Sequence, residues 1–94
     1  MRARTAVFCR YLAANVRRLR QERGWTQHEL ALEAELEPRS IRAVEGAKTA
    51  PRLDTIVRLA DALGVDIGEL FRPARLPNPT RGRPPRRKSS SGAR

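Results

Sequence analysis

Apolar side chains recur along this chain at helical intervals, and nowhere do they alternate as a half-buried strand would require. Phe8, Leu12, Val16 and Leu19 follow one another at four, four and three residues. That is one helix face, and it predicts a first helix over residues 6–23 with Arg17 and Arg18 turned outward. Gly24 ends it. Leu53, Ile56, Val57, Ala60 and Leu63 keep the same rhythm, and Gly64 stands where a glycine follows a helix end. Between these two runs lie two shorter ones with clear start signals. Thr26 and Glu29 have the spacing of a capping box, and Trp25 and Leu30 that of a hydrophobic staple. Glu37 opens the next helix, with Pro38 at its first position, where a missing N–H has no partner to lose. Leu36 and Ile41 repeat the staple. Asp66 with Glu69 and Val65 with Leu70 suggest a third box and staple, starting a short fifth helix that ends near Phe71. The pattern predicts an all-α fold, a compact five-helix domain.

The third helix, residues 38–45, sorts its side chains into two faces. Ile41 and Val44 share one side with Leu36 behind them, while Arg39, Arg42 and Ala43 fall opposite, Arg39 nearest the middle. A helix with an apolar back and a guanidinium front suits the DNA major groove, where arginine's planar fork matches guanine O6 and N7. An ordinary solvated face carries the same residues, so the arginines alone leave both readings open.

The stretch from Trp25 to Glu45 resembles the helix-turn-helix of the phage repressor and Cro family, also called the XRE family. Ala31 stands where that family places a small residue between its helices, and Leu36, Ile41 and Val44 match its apolar positions. The similarity continues through Pro51, Leu53, LADALGV (59–65) and ELF (69–71), covering roughly residues 11–72. The resemblance implies a phosphate contact from Gln27 and an ion pair joining Arg20 to Glu45. It implies base contacts from Arg39, Arg42, Ser40 and Ala43, with a further phosphate contact from Pro38. In the loop that follows, Lys48 and Thr49 suit backbone phosphate, and an ordinary connecting loop is the alternative. Two positions depart from the family pattern. Glu35 occupies the turn, where glycine is usual and the backbone often needs φ > 0. In Glu45-Gly46-Ala47 the glycine comes one residue early, which predicts an earlier helix end and a shifted loop.

Composition narrows the partners. Among 94 residues, Lys and Arg number 20 against 10 Asp and Glu, for a net charge of +10. An anionic partner follows, nucleic acid before membrane lipid. Cys9 has no second cysteine to pair with, and with the lone His28 it cannot build a zinc site; it reads as a small core residue. No metal, cofactor or small-molecule substrate is expected. No apolar run approaches the ~20 residues that cross a bilayer. The basic start and apolar middle of the N-terminus resemble a targeting segment, but Arg10 interrupts the run. Residues 1–5 read as a short basic arm and 6–72 as the folded domain. The acids scatter over helix surfaces without a paired catalytic site, so no enzyme is expected.

At Pro73 the composition changes. Residues 73–94 hold five of the seven prolines, seven basic residues and no acid. Such a segment cannot bury enough apolar surface to fold alone. Within it Arg81-Gly82-Arg83-Pro84, followed by Arg86, Arg87 and Lys88, resembles an AT-hook, which lies in the narrow minor groove of A·T-rich DNA. A generic basic tail is the alternative.

Together these features point to a sequence-specific transcriptional regulator, a repressor by promoter occupancy, in the cytoplasm and on the nucleoid. It would bind double-stranded DNA as a homodimer through Val65, Ile67, Leu70 and Phe71. Restriction–modification controllers and antitoxins of the same fold, architectural nucleoid-type proteins and protein-interaction modules are the rival readings.

Overall fold

The computed structural model describes residues 1–75. They form five helices: α1 Ala3–Glu22, α2 Gln27–Ala34, α3 Pro38–Gly46, α4 Leu53–Leu63 and α5 Ile67–Leu70. No strand occurs among the described residues. Helix α1 begins three residues before its expected start, so residues 3–5, expected in the arm, form its first turn. Nothing in Ala3-Arg4-Thr5 interrupts a helix, and the Arg4 guanidinium lies 5.8 Å from the centre of the Phe8 ring one turn on.

Three of the four connections use one device. The N–H of Gly24 donates to the Gln21 carbonyl and that of Trp25 to Arg20. Glu35 and Leu36 close α2 in the same way on Leu32 and Ala31, as do Gly64 and Val65 on Asp61 and Ala60. These are the paired bonds of a Schellman turn, with φ of 70°, 58° and 70° at Gly24, Glu35 and Gly64. The next residue, Trp25, Leu36 or Val65, packs against the core. The one after it, Thr26, Glu37 or Asp66, takes extended backbone and opens the following helix. One apolar side chain therefore closes each helix and staples the next.

The expected caps divide. Thr26 and Glu29 form a reciprocal box, with bonds of 3.0 and 2.8 Å. Asp66 and Glu69 do not: the Asp66 side chain makes no cap bond. The Glu69 N–H that it would hold is 2.9 Å from the Asp66 carbonyl in a tighter turn. Helix α3 does not stop early. It continues through Gly46, and the left-handed residue is Ala47, with φ 56°.

Helix α1 packs on α3, α4 and α5, and α2 packs on α3 and α4. The core joins Leu12, Val16 and Leu19 of α1, Leu30, Ala31 and Ala34 of α2, and Ile41 and Val44 of α3. Leu59, Ala60 and Leu63 of α4 and Leu70 of α5 complete it. The two alanines of α2 let α3 approach its backbone closely. In α4 the buried residues are Leu59, Ala60 and Leu63, while Leu53, expected inside, is 71% exposed at the helix's first position. Phe8 lies at the rim, edge-on to Tyr11 and Phe71. Cys9 is buried.

Candidate nucleic-acid interface

Helix α3 sits on α1 and α2 by its Ile41–Val44 face, and this packing turns Arg39, Arg42 and Ala43 to solvent, with Ser40 half-buried beside them. Pro38 occupies the first helical turn. Arg39 is not free in solution: its Nε lies 2.8 Å from Oε1 of Glu37. Lys48 and Thr49 are exposed on the following connector. There Thr49 lines a shallow hollow with Ser40, Ala43, Val44, Pro51 and Thr55.

Beneath this surface Glu45, 2% exposed, collects four contacts. Arg20 donates from Nε at 2.7 Å and from Nη2 at 3.0 Å, one to each carboxylate oxygen. Gln27 Nε2 donates at 3.1 Å, and Arg17 Nε lies 3.5 Å away. Arg20 also donates to the Trp25 carbonyl at 2.8 Å, in the turn before α2. The hydrogen bond to Glu45 raises the pKa of Arg20 above its already high ordinary value, against the opposing effect of burial and with help from the charge of Glu45. The guanidinium is thus a permanent charge, and a buried carboxylate beside it is compensated.

This network revises one expectation: Arg17, read as outward, is turned in toward Glu45. The Gln27 amide gives one N–H to the same carboxylate and keeps its second N–H and its oxygen.

The surface proposed for self-association is also smaller than expected. Leu70 is 0% exposed and closes the core beside α1 and α4. Val65 and Phe71 are half-buried against that core, which leaves Ile67, 40% exposed. Arg81, Gly82, Arg83, Pro84, Arg86, Arg87 and Lys88 lie outside the described residues.

Several structural residues had no reading from sequence. Asn15 is buried, and its Nδ2 donates to the carbonyls of Leu70 at 3.0 Å and Arg72 at 2.9 Å, while Oδ1 accepts from Arg18. Its position three after Leu12 and four before Leu19 was the available signal, a polar residue on the apolar stripe. Arg23 donates to the Leu63 carbonyl at the end of α4. Arg58 donates to the Glu35 carbonyl at 3.0 Å. Among the described residues no group of His, Cys, Asp and Glu could hold a metal ion, and no helix is long and apolar enough to cross a membrane.

Comparison with known proteins adds to this geometry. The family model described as Helix-turn-helix matches residues 16–70. A protein of Neisseria meningitidis serogroup B (strain ATCC BAA-335 / MC58), described as a Neisseria hypothetical transcription factor, is 39% identical over 62 residues. The match takes in 66% of this chain and 58% of that protein, so the chain spans little more than half of its relative's length. The crystal structure of a hypothetical transcription factor from Neisseria superposes with a TM-score of 0.67 at 36% identity, covering 70% of this chain and 76% of that one.

Proposed function

Because the chain belongs to the helix-turn-helix family, we propose that it is a DNA-binding transcriptional regulator that reads the major groove with α3. The observation that carries this reading is the two-sided character of α3. Ile41, Val44 and Glu45 are buried, and Arg39, Arg42 and Ala43 are exposed on its other side. In this reading Arg39 and Arg42 meet base edges, with shorter contacts from Ser40 and Ala43. Pro38, Lys48, Thr49 and the start of α2 at Gln27 follow the backbone phosphates, which fix register without reading sequence. Two copies bind a two-fold site with half-sites about one helical turn apart, ~34 Å. Repression by occupying a promoter is the simplest output.

Selection of bound duplexes from random DNA tests the proposal. A palindromic consensus is the expected result. Recovery of A·T-rich DNA without a consensus would favour an architectural protein, and no enrichment would leave protein interaction as the better function.

A further inference from the structure

Glu37 has the extended backbone of an N-cap, with φ −80° and ψ 147°, yet its side chain accepts no capping hydrogen bond. Shorter oxygen-bearing side chains do that work at helix starts. The carboxylate instead lies against Arg39, 2.8 Å from Nε. Both side chains are open to solvent, at 68% and 79% exposure, and ion pairs in that setting add little to stability. An acid at a helix start gains modestly from the helix dipole, yet that gain does not call for the contact with Arg39.

We propose that Glu37 is a positioning residue that holds Arg39 for guanine. The inference rests on the reading of α3 as the base-reading helix. A contact made at Nε leaves the end-on Nη1–Nη2 fork for the O6 and N7 acceptors of guanine in the major groove. Arginine carries much rotamer freedom, so holding its guanidinium before docking lowers the cost of ordering it on DNA. The same carboxylate repels phosphate. It therefore penalises registers in which Arg39 would rest on the backbone, and discrimination rises through the rejected alternative as well as the accepted one.

The test uses the full chain, the duplex recovered by selection and a scrambled duplex of equal length. Arg39→Ala should weaken binding to the selected duplex roughly 5- to 150-fold and affect the scrambled one much less. Glu37→Ala should weaken the selected duplex roughly 3- to 10-fold, leave the scrambled duplex unchanged or bound more tightly, and leave the melting temperature alone. In the Arg39→Ala background Glu37→Ala should have no further effect on the selected duplex. Replacing the contacted guanine by 7-deazaguanine, which lacks N7, should likewise erase the effect of Glu37→Ala. Glu37→Gln removes the charge and should lose as much as Glu37→Ala, because the contact is an ion pair. Equal tightening on both duplexes would show a merely repulsive charge and overturn the proposal, as would an effect of Glu37→Ala that persists without Arg39. In both cases the base-reading role of Arg39 would stand. If Arg39→Ala costs the same on both duplexes, or if no guanine-containing consensus emerges, that role fails and the positioning role falls with it.

Discussion

Arg20 and Glu45 meet side on, each carboxylate oxygen taking one guanidinium nitrogen at 2.7 and 3.0 Å. The pair ties the end of α1 to the end of α3 across the start of α2, which Gln27 joins. Glu45→Ala would leave the Arg20 charge mostly buried with only the Trp25 carbonyl for company, and should destabilise the domain by about 3–5 kcal/mol. Arg20→Ala should cost a similar amount. Their combination should cost clearly less than the sum, because each single change already breaks the pair. Additive losses in denaturant melts would mean that the two residues do not act on one another.

Glu35 is a glutamate in left-handed backbone, with φ 58°. Such a conformation costs a side-chain-bearing residue about 1–2 kcal/mol, and glycine avoids it. Glycine also loses more freedom on folding, so Glu35→Gly should stabilise by about 0.5–1 kcal/mol net. The carbonyl that Arg58 holds is untouched by the change. A lower melting temperature would show that the Glu35 side chain contributes more than its backbone costs.

Asn15 is the bond between the first helix and the last. Asn15→Ala removes the donor to two carbonyls, Leu70 and Arg72, and should cost about 1–3 kcal/mol. Asn15→Asp should be at least as harmful, since an ionised carboxylate can donate to neither carbonyl. Amide exchange should speed first in α5. Uniform acceleration across all five helices would assign Asn15 a global role instead.

If two copies associate through α5, Ile67 is the apolar side chain available to do it. Ile67→Glu should then give a monomer by light scattering with unchanged melting, and should weaken binding to a two-fold site far more than to a half-site. A wild-type chain that is monomeric both free and on a palindrome would remove the idea.

Removing residues 76–94 deletes six bases and no acid. If about three of them each neutralise a phosphate, the slope of log K against log[salt] should fall by roughly three, at ~0.9 per phosphate. An AT-hook requires more: Arg81→Ala with Arg83→Ala should harm binding to A·T-rich flanks more than to G·C-rich ones. Equal losses would indicate a generic basic tail, and no change in slope would argue for a different partner.

Much of the fold was legible in sequence because its signals are local. The stripes of α1 and α3, the Thr26–Glu29 box and the helix-ending glycines Gly24 and Gly64 each depend on residues within one or two turns, whereas the left-handed turn at Glu35 was expected only through the family resemblance. Misreadings came where distance mattered. Leu53 has a fitting interval but stands on the solvent side of its first turn. Asp66 has the right spacing for a cap, but its own carbonyl takes the N–H. Leu70, expected in a dimer surface, is covered by α1 and α4. At the interface, periodicity separates the faces of α3, whereas the contact between Glu37 and Arg39 depends on rotamers that no interval specifies. Asn15 shows the converse. A polar residue on an apolar stripe is a visible signal, but its partners lie 55 and 57 residues away.

The three repeated turns also fix where this domain can change in length. In each, the left-handed residue, the apolar residue and the N-cap are consecutive, so an inserted residue would part the apolar side chain that closes one helix from the N-cap that opens the next and break the staple. Residues 47–52, between α3 and α4, follow no such three-residue plan. Insertions and deletions should therefore be lethal at 24–26, 35–37 and 64–66 and tolerated at 47–52. That segment borders the exposed face of α3, so the chain can vary in length beside that face while the scaffold beneath stays constant.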